Sequence, residues 1–440
     1  MILANAPDQG IVDPDPLELP MRRRLFAAAV LVLLAAVTGT SPAGADPAQA
    51  TVVSANPVDF TPHVLDGTVW TLAVVGDTVV AGGSFTKVAD STRKHTYART
   101  NIFAYGLTDG VIRPFAPTLD GAVYALAAGP ANSVYVGGAF KKVDGAAQRG
   151  LARLSLTDGA RISAFGAKIN WGDVRALGIS RGYLYAGGTF SAVNGTTRVG
   201  FARMSTATGA VDTGFDARLS APGLSRTRVE HFDISPDGTK LIAVGALLKV
   251  GTVDRTQIAL FDISGATAAL TGWYTDAYKP ACMKGFDTYL RQVKFSPDGS
   301  YFVVAATGRA SSPTSLCDSA ARFQTAGVGR HDPVWVQRTG GDSLYAVAVT
   351  GAAVYVGGHE RYLDNPYGSD AKGPGPGAVS RPGIGALDPA TGRALSWNPT
   401  RSRGVGVRAF LVTGNGLTVG SDTDQLGKEF HGRVGMFPLG

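Results

Sequence analysis

A short glycine pattern recurs along this chain at a spacing that admits few folds. Val80-Ala81-Gly82-Gly83-Ser84-Phe85 is followed by Val136-Gly137-Gly138-Ala139-Phe140 and Ala186-Gly187-Gly188-Thr189-Phe190, with a partial copy at Val356-Gly357-Gly358. Self-similarity at a fixed period marks a repeat architecture, in which each unit buries its apolar face only against its neighbours. Around each copy the order of parts is the same. An apolar strand (69–75, 123–128, 174–179) leads through a tight turn to the Gly-Gly-x-Phe strand. A polar loop, a third strand, a Thr-Asp-Gly or Ala-Thr-Gly turn and a last strand follow. Four antiparallel strands per unit are therefore expected.

Degenerate copies keep the order and lose the glycines. Ser235-Pro236-Asp237-Gly238 and Ser296-Pro297-Asp298-Gly299 are turns between apolar strands at the equivalent place. Units beginning near 69, 123, 174, 229, 290, 344 and 407 make seven, each close to the ~40–50 residues of a propeller blade. The seventh ends one strand short. The segment Pro57-Val58-Asp59-Phe60-Thr61-Pro62 resembles the outermost strands Arg113-Pro114-Phe115-Ala116-Pro117 and Ser396-Trp397-Asn398-Pro399, so a strand at about 57–64 is expected to complete the last blade and hide its edge. The expectation is an all-β, seven-bladed β-propeller occupying 46–440 as one domain. The 58 Gly and 24 Pro agree with many turns and few helices.

Ahead of the repeats, Arg22-Arg23-Arg24, an apolar run over 25–37 and the small residues Ala43-Gly44-Ala45 follow one another as basic, apolar and cleavage regions do in a secretory signal peptide. Residues 21–45 are read as that signal. Residues 1–20, which carry acids where a signal needs bases, are read as an extension before the true start at Met21. The apolar run is shorter than the ~20 residues needed to span a bilayer, so no membrane span is expected in the mature form. Secretion agrees with the cysteine count, since Cys282 and Cys317 alone are present and an exported protein would pair them. A net charge of +7 favours acidic partners, but no Lys/Arg block of the kind that grips nucleic acid follows the signal.

The motifs also carry a family resemblance. The Gly-Gly-x-Phe copies are followed by Val143-Asp144-Gly145 or Val193-Asn194-Gly195, then Gly150-Leu151-Ala152-Arg153-Leu154 or Gly200-Phe201-Ala202-Arg203-Met204, then Asp212-Thr213-Gly214-Phe215. This resembles the delta-sixty repeat of bacterial exported β-propellers and is similar, more distantly, to WD-type and fungal cortical polarity-marker propellers. Three units match well and the rest in outline. The resemblance implies the fold and no established activity.

Strand alternation puts two kinds of connection on opposite faces of such a ring. One face carries short turns such as Gly76-Asp77. The other carries the long connections at 86–99, 220–228, 279–289, 307–319 and 359–382. Binding residues concentrate on loops held by a rigid scaffold, so the second face is the candidate. Cys282 and Cys317 both fall there, where a bridge would pin two loops. The second residue of each innermost strand faces the centre near that rim: Trp70, Tyr124, Arg175, Glu230, Arg291, Tyr345 and Arg408. With Arg228, His231 and Gln292 they would present Arg, Glu and His at the channel mouth. The arginines would grip carboxylates or phosphates in bidentate fashion, or would satisfy Glu230 in pairs between neighbouring units. Asp66, Asp120, Asp173 and Asp342 precede innermost strands and would either ring the entrance for a hard cation or cap backbone amides, the commoner role. In the loop from His359 to Gly368, Tyr362 and Tyr367 could stack on sugars. The following Gly373-Pro374-Gly375-Pro376-Gly377 has the composition of a mobile tip.

No metal-binding His pair or phosphate loop occurs, and no cofactor is expected. The leading expectation is a secreted, non-catalytic recognition scaffold that binds an extracellular protein or anionic glycan on the decorated face. The alternative is a carbohydrate-active hydrolase or lyase on that face, with Glu230, His231 and His359 as acid/base residues.

Overall fold

The computed structural model describes residues 48–282, 286–309, 314–367, 373–402, 404 and 406–440; the expected extension and signal peptide lie outside them. No helix occurs among the described residues, so none there is long and apolar enough to cross a membrane. Among the described residues, seven antiparallel sheets share one plan. Their first strands are Thr68–Val75, Val123–Gly129, Val174–Ser180, Arg228–Ile234, Leu290–Phe295, Leu344–Val349 and Ala409–Thr413, and each pairs with a second strand that pairs with a third. First strands of consecutive sheets touch in chain order, and that of the last sheet touches that of the first.

The glycine pairs explain how the sheets come so near. A Cβ on Gly82, Gly137, Gly187 or Gly357 would stand 2.5–2.7 Å from the valine that opens the next unit (Val123, Val174, Val229 or Val407). The first glycine is thus the slot for the neighbour's side chain. The second meets its own sheet instead: a Cβ on Gly83, Gly138, Gly188 or Gly358 would lie 2.0–2.1 Å from a carbonyl oxygen at the start of the first strand. Gly420, in the last sheet, stands to Val69 of the first as the other slots stand to their neighbours, at 2.8 Å.

The outermost strands depart from the expected four per unit. Among the described residues, a fourth strand occurs only in the sheets that start at Arg228 and Leu290 (Ala269–Leu270 and Trp335–Arg338). In four other sheets the outer segment makes one bridge (Tyr105↔Ile112, Leu154↔Arg161, Met204↔Val211, Leu387↔Ala394) and then dives to bury an aromatic side chain. Phe115, Phe165 and Phe215 are at most 1% exposed. Phe165 packs edge-to-face on Tyr135 with ring centroids 5.2 Å apart, Phe215 on Tyr185 at 5.7 Å and Trp397 on Tyr355 at 5.3 Å. Burying a ring outweighs continuing a solvent-exposed ladder, whose net gain is about 1 kcal/mol per hydrogen bond.

The N-terminal segment lies along the last sheet, but with a different register from the expected strand at 57–64. Val53 bridges Leu439, and the Ser54 and Val58 N–H groups donate to Pro438 and Met436. His63–Val64 instead pairs with Lys87–Ala89 in the first unit. His63 is buried in this seam. Its Nδ1 accepts the Gly432 N–H at 3.2 Å and its Nε2 donates to the Ser91 carbonyl at 3.2 Å. Burial also lowers the pKa of His63 and of His431 beside it.

Two stability tests follow from these contacts. Gly137→Ala is expected to cost about 1–3 kcal/mol by overpacking, since a side-chain methyl can yield a little. Gly138→Ala should cost more, because its obstacle is a backbone oxygen; equal urea midpoints for wild type and both variants would contradict the slot model. For the histidines, the folded pKa lies below the unfolded value of 6.5, so the unfolded chain takes up protons first. Their contribution is complete above pH about 6.5 and is lost as pH falls below it. The melting temperature should drop between pH 7 and 5.5, and the drop should shrink in His63→Gln/His431→Gln.

Candidate functional site

In six of the seven first strands the register with the second strand slips by one residue at the same place. The residues passed over are Trp70, Tyr124, Arg175, Glu230, Arg291 and Tyr345. A bulge of this kind leaves one residue outside the ladder and re-aims its side chain. All six, with Arg408 just ahead of the last first strand, line one central cavity of about 350 Å³. Every residue expected at the channel mouth from its place in the repeat therefore meets the others there.

Charge divides this cavity into two sides. On one side Glu230 is shared: Arg175 Nη1 donates to its Oε1 at 2.7 Å and Arg228 Nε to its Oε2 at 2.9 Å, while Arg291 Nη1 stands 3.9 Å from Oε1. Arg175 also pairs with Asp173 at 3.2 Å. Burial opposes the charge on Arg175, yet Glu230 and Asp173 raise its pKa. His231 is held by neighbours, with Gln292 Nε2 3.4 Å from its Nε2, and Gln292 Oε1 accepts the Val347 N–H of the following sheet at 2.6 Å. Burial, and then Lys294, keep His231 neutral, with its pKa well below 6.5. Lys294 itself pairs with Asp233 at 3.0 Å.

The other side is aromatic. The Arg408 guanidinium lies 3.9 Å from the Tyr345 ring centroid and 4.8 Å from that of Trp70. Trp70 donates to Ser84 and meets Tyr124 edge-on. Behind Tyr345, His359 Nε2 accepts the Ser343 N–H at 3.2 Å, which leaves Nδ1 as the donor toward the tyrosine oxygen at 3.4 Å. Glu230, His231 and His359 thus have different neighbours, Glu230 the arginines, His231 Gln292 and His359 Ser343 and Tyr345.

Outside the cavity, the b–c connections are hairpins rather than open loops. Lys87–Ala89 pairs with Thr96–Ala98, Lys142–Val143 with Ala146–Ala147, and Ala192–Val193 with Thr196–Thr197. Their signal was present in the sequence. In Val143-Asp144-Gly145 and Val193-Asn194-Gly195 both turn residues have positive φ, the requirement of a tight type I′ hairpin turn. Asp66 and Asp120 accept N–H groups at the base of these hairpins, from Thr86 at 2.8 Å and from Lys141 at 2.6 Å. Asn170 does the same in the third unit for Ser191 at 3.2 Å. Asp173, grouped with these residues by sequence, serves Arg175 instead, and Asp342 receives the Arg361 N–H at 3.1 Å. Among the described residues no His, Cys, Asp and Glu groups are clustered to hold a metal ion.

Residues 182–215 match the family model of a β-propeller domain of unknown function, DUF5122. The match runs from the second strand of the third sheet, Tyr183–Gly188, through its hairpin to the buried Phe215, and so covers the third unit without its first strand. The chain folds as a β-propeller. Among solved structures it is similar to the WD40 β-propeller domain of Doa1 at 10% identity, over 87% of this chain and 97% of that one, with a TM-score of 0.47. No curated protein sequence matches it.

On the hairpin face of this propeller, two long connections are tied together. Asp287 accepts the Ser225 N–H at 3.1 Å and stands 3.8 Å from Arg228. Trp171, 40% exposed, carries the Arg226 guanidinium 4.8 Å from its ring centroid, and Phe286, 43% exposed, has Arg291 at 6.0 Å. The sequence reading missed Trp171, Arg226 and Phe286, whose isolated positions in variable connections carry no repeat signal. Tyr362 and Tyr367 do not line the cavity; Tyr362 packs in a hairpin strand under Arg361 and Tyr367 is 48% exposed. Gly368 lies outside the described residues. The expected mobile tip is anchored where it is described, since the buried Asn365 side chain bonds Gly373 O at 2.9 Å and Gly375 N at 3.1 Å.

Cys282 and Cys317 form the disulfide expected for them, joining the connection into the fifth sheet to the one between its second and third strands. It closes a separation of 35 residues. Cys282→Ser/Cys317→Ser should lower stability by about 3–4 kcal/mol in the chain-entropy model. Urea unfolding of oxidised wild type and the double variant tests this, and coincident curves would show that the neighbouring loops are held without the bridge.

Proposed function

We propose that the chain is a secreted, non-catalytic propeller of seven blades, closed by its N-terminal segment, that recognises an anionic glycan outside the cell through its hairpin face. Closure is supported by the Gly420–Val69 slot contact and by the Val69 N–H, which donates to Ser421 at 2.9 Å. Secretion is supported by the order of basic, apolar and small residues over 21–45 and by the disulfide.

The observation that carries the recognition reading is the rim formed by Trp171, Arg226 and Phe286 beside the arginines of the channel mouth. Exposed aromatic faces stack on sugar rings, and guanidinium groups bind carboxylates in planar, bidentate pairs. Solvent-exposed aromatics next to arginine are also what binding hot spots are made of. A hydrolase or lyase is disfavoured, because both Glu230 oxygens are occupied by arginines and His231 is locked between sheets.

A glycan array probed with the purified protein, beside Trp171→Ala/Arg226→Ala, tests the reading. Binding to carboxylated or sulfated glycans, reduced at least about tenfold in the variant, is expected from the loss of a stacking face and a charged contact. Release of product from those glycans would promote the enzyme. Absence of glycan binding by wild type would overturn the glycan reading and leave an acidic protein as the partner to be sought.

A further inference from the structure

We propose that the central cavity holds a separate oxyanion site, formed by Arg291, Tyr345 and Arg408, that takes the carboxylate or phosphate group of a small molecule. It lies on the aromatic side of the cavity and shares no aromatic residue with the glycan rim.

The first support is the balance of charge. Arg175, Arg291, Lys294 and Arg408 line the cavity, against Glu230 as its carboxylate. Glu230 is taken by Arg175 and Arg228, Asp173 by Arg175, and Asp233 by Lys294. Arg291 is left with a Thr288 carbonyl at 3.3 Å and the distant edge of Glu230. Arg408 has no carboxylate within ion-pair distance among the described residues, and its Nε is shielded from solvent without a hydrogen-bond acceptor. That Nε has given up water without gaining an acceptor, and Asp422 acts on the Arg408 charge only from beyond ion-pair distance, so the site has free energy that a bound oxyanion returns.

The second support is preorganisation. Tyr345 and Trp70 hold the Arg408 plane between them, so little side-chain freedom remains to be lost on binding. Because His359 Nδ1 donates to the Tyr345 oxygen, the tyrosine's own hydrogen is available to a third partner. Two guanidinium forks, both near Tyr345, and its hydroxyl donor line the same cavity and would bind one electron-rich group between them. Apolar neighbours in the wall, Leu72 and Phe410 among them, lower the local dielectric and strengthen each contact. The cavity of about 350 Å³ suits a small molecule or one projecting acidic group rather than a polymer chain.

Calorimetry and thermal melting of the purified protein with inorganic phosphate and with succinate, against sodium chloride at equal ionic strength, test the site. At least one of the two anions should raise the melting temperature beyond the chloride control, and whichever binds more tightly identifies the group as phosphate or carboxylate. Arg408→Gln should weaken that binding by about tenfold or more, as expected for a lost charge-assisted contact, without lowering the anion-free melting temperature. If that variant does not fold, Arg408→Lys, which keeps charge and loses the planar fork, should still weaken binding. Trp171→Ala/Arg226→Ala should retain the full response, so a failed glycan array and a failed oxyanion site are told apart. A response no larger than that of chloride, or equal affinity in wild type and Arg408→Gln, would overturn the proposal.

Discussion

The rest of the structure depends on how closely each first strand lies against the sheet before it, a closeness that five glycines, Gly82, Gly137, Gly187, Gly357 and Gly420, make possible. With a Cβ on Gly82, Gly137, Gly187 or Gly357, the next valine would stand closer than a Cβ contact allows and would have to shift. The sheets would then splay and the first strands could no longer surround a narrow cavity. The second glycine of each pair acts within its own sheet, letting the start of the first strand come against the second strand where the ladder slips. Where the pair is kept, packing between units and the closeness of the two strands at the slip are two results of one dipeptide; the fifth sheet slips at the same place with Ala305 and Ala306 there.

The slip is what converts a repeat into a site. In an unbulged strand the second residue would alternate in register with its neighbours and pair across the ladder. Passed over by the ladder, it turns inward, and six successive sheets do this at the same height. The framework is indifferent to what stands there, so Trp, Tyr, Arg and Glu all occur. The residue at the bulge therefore varies widely, while the position that opens each unit stays Val or Leu.

Much of the cavity was legible because position in a repeat predicts direction. Trp70, Tyr124, Arg175, Glu230, Arg291, Tyr345 and Arg408 were found as the second residue of each innermost strand, and the cavity is lined by all seven. The residues that reasoning of this kind missed do not repeat. Trp171, Arg226 and Phe286 stand in connections of unequal length, and what brings them to one rim is the pairing of Asp287 with Ser225 across two of those connections. The hairpins were legible in principle, since Asp-Gly and Asn-Gly turns announce them, but their small strands are only two or three residues long and read as polar loop.

The sequence by itself determined the repeat, the strand order within it, the direction of the bulged residues and the pairing of two cysteines, because each of these follows from local rules of turn, alternation and composition. Tertiary structure alone decided which charges neutralise one another. Glu230 could have served any of four arginines on grounds of sequence, and only the positions of neighbouring sheets give it to Arg175 and Arg228 and leave Arg408 between two aromatic rings. It also decided how the outer segments end, because a buried ring is worth more than another exposed hydrogen bond only once a neighbouring tyrosine is there to receive it. Electrostatic and packing partners far apart in the chain are set by distance in space, and a linear pattern does not encode that distance.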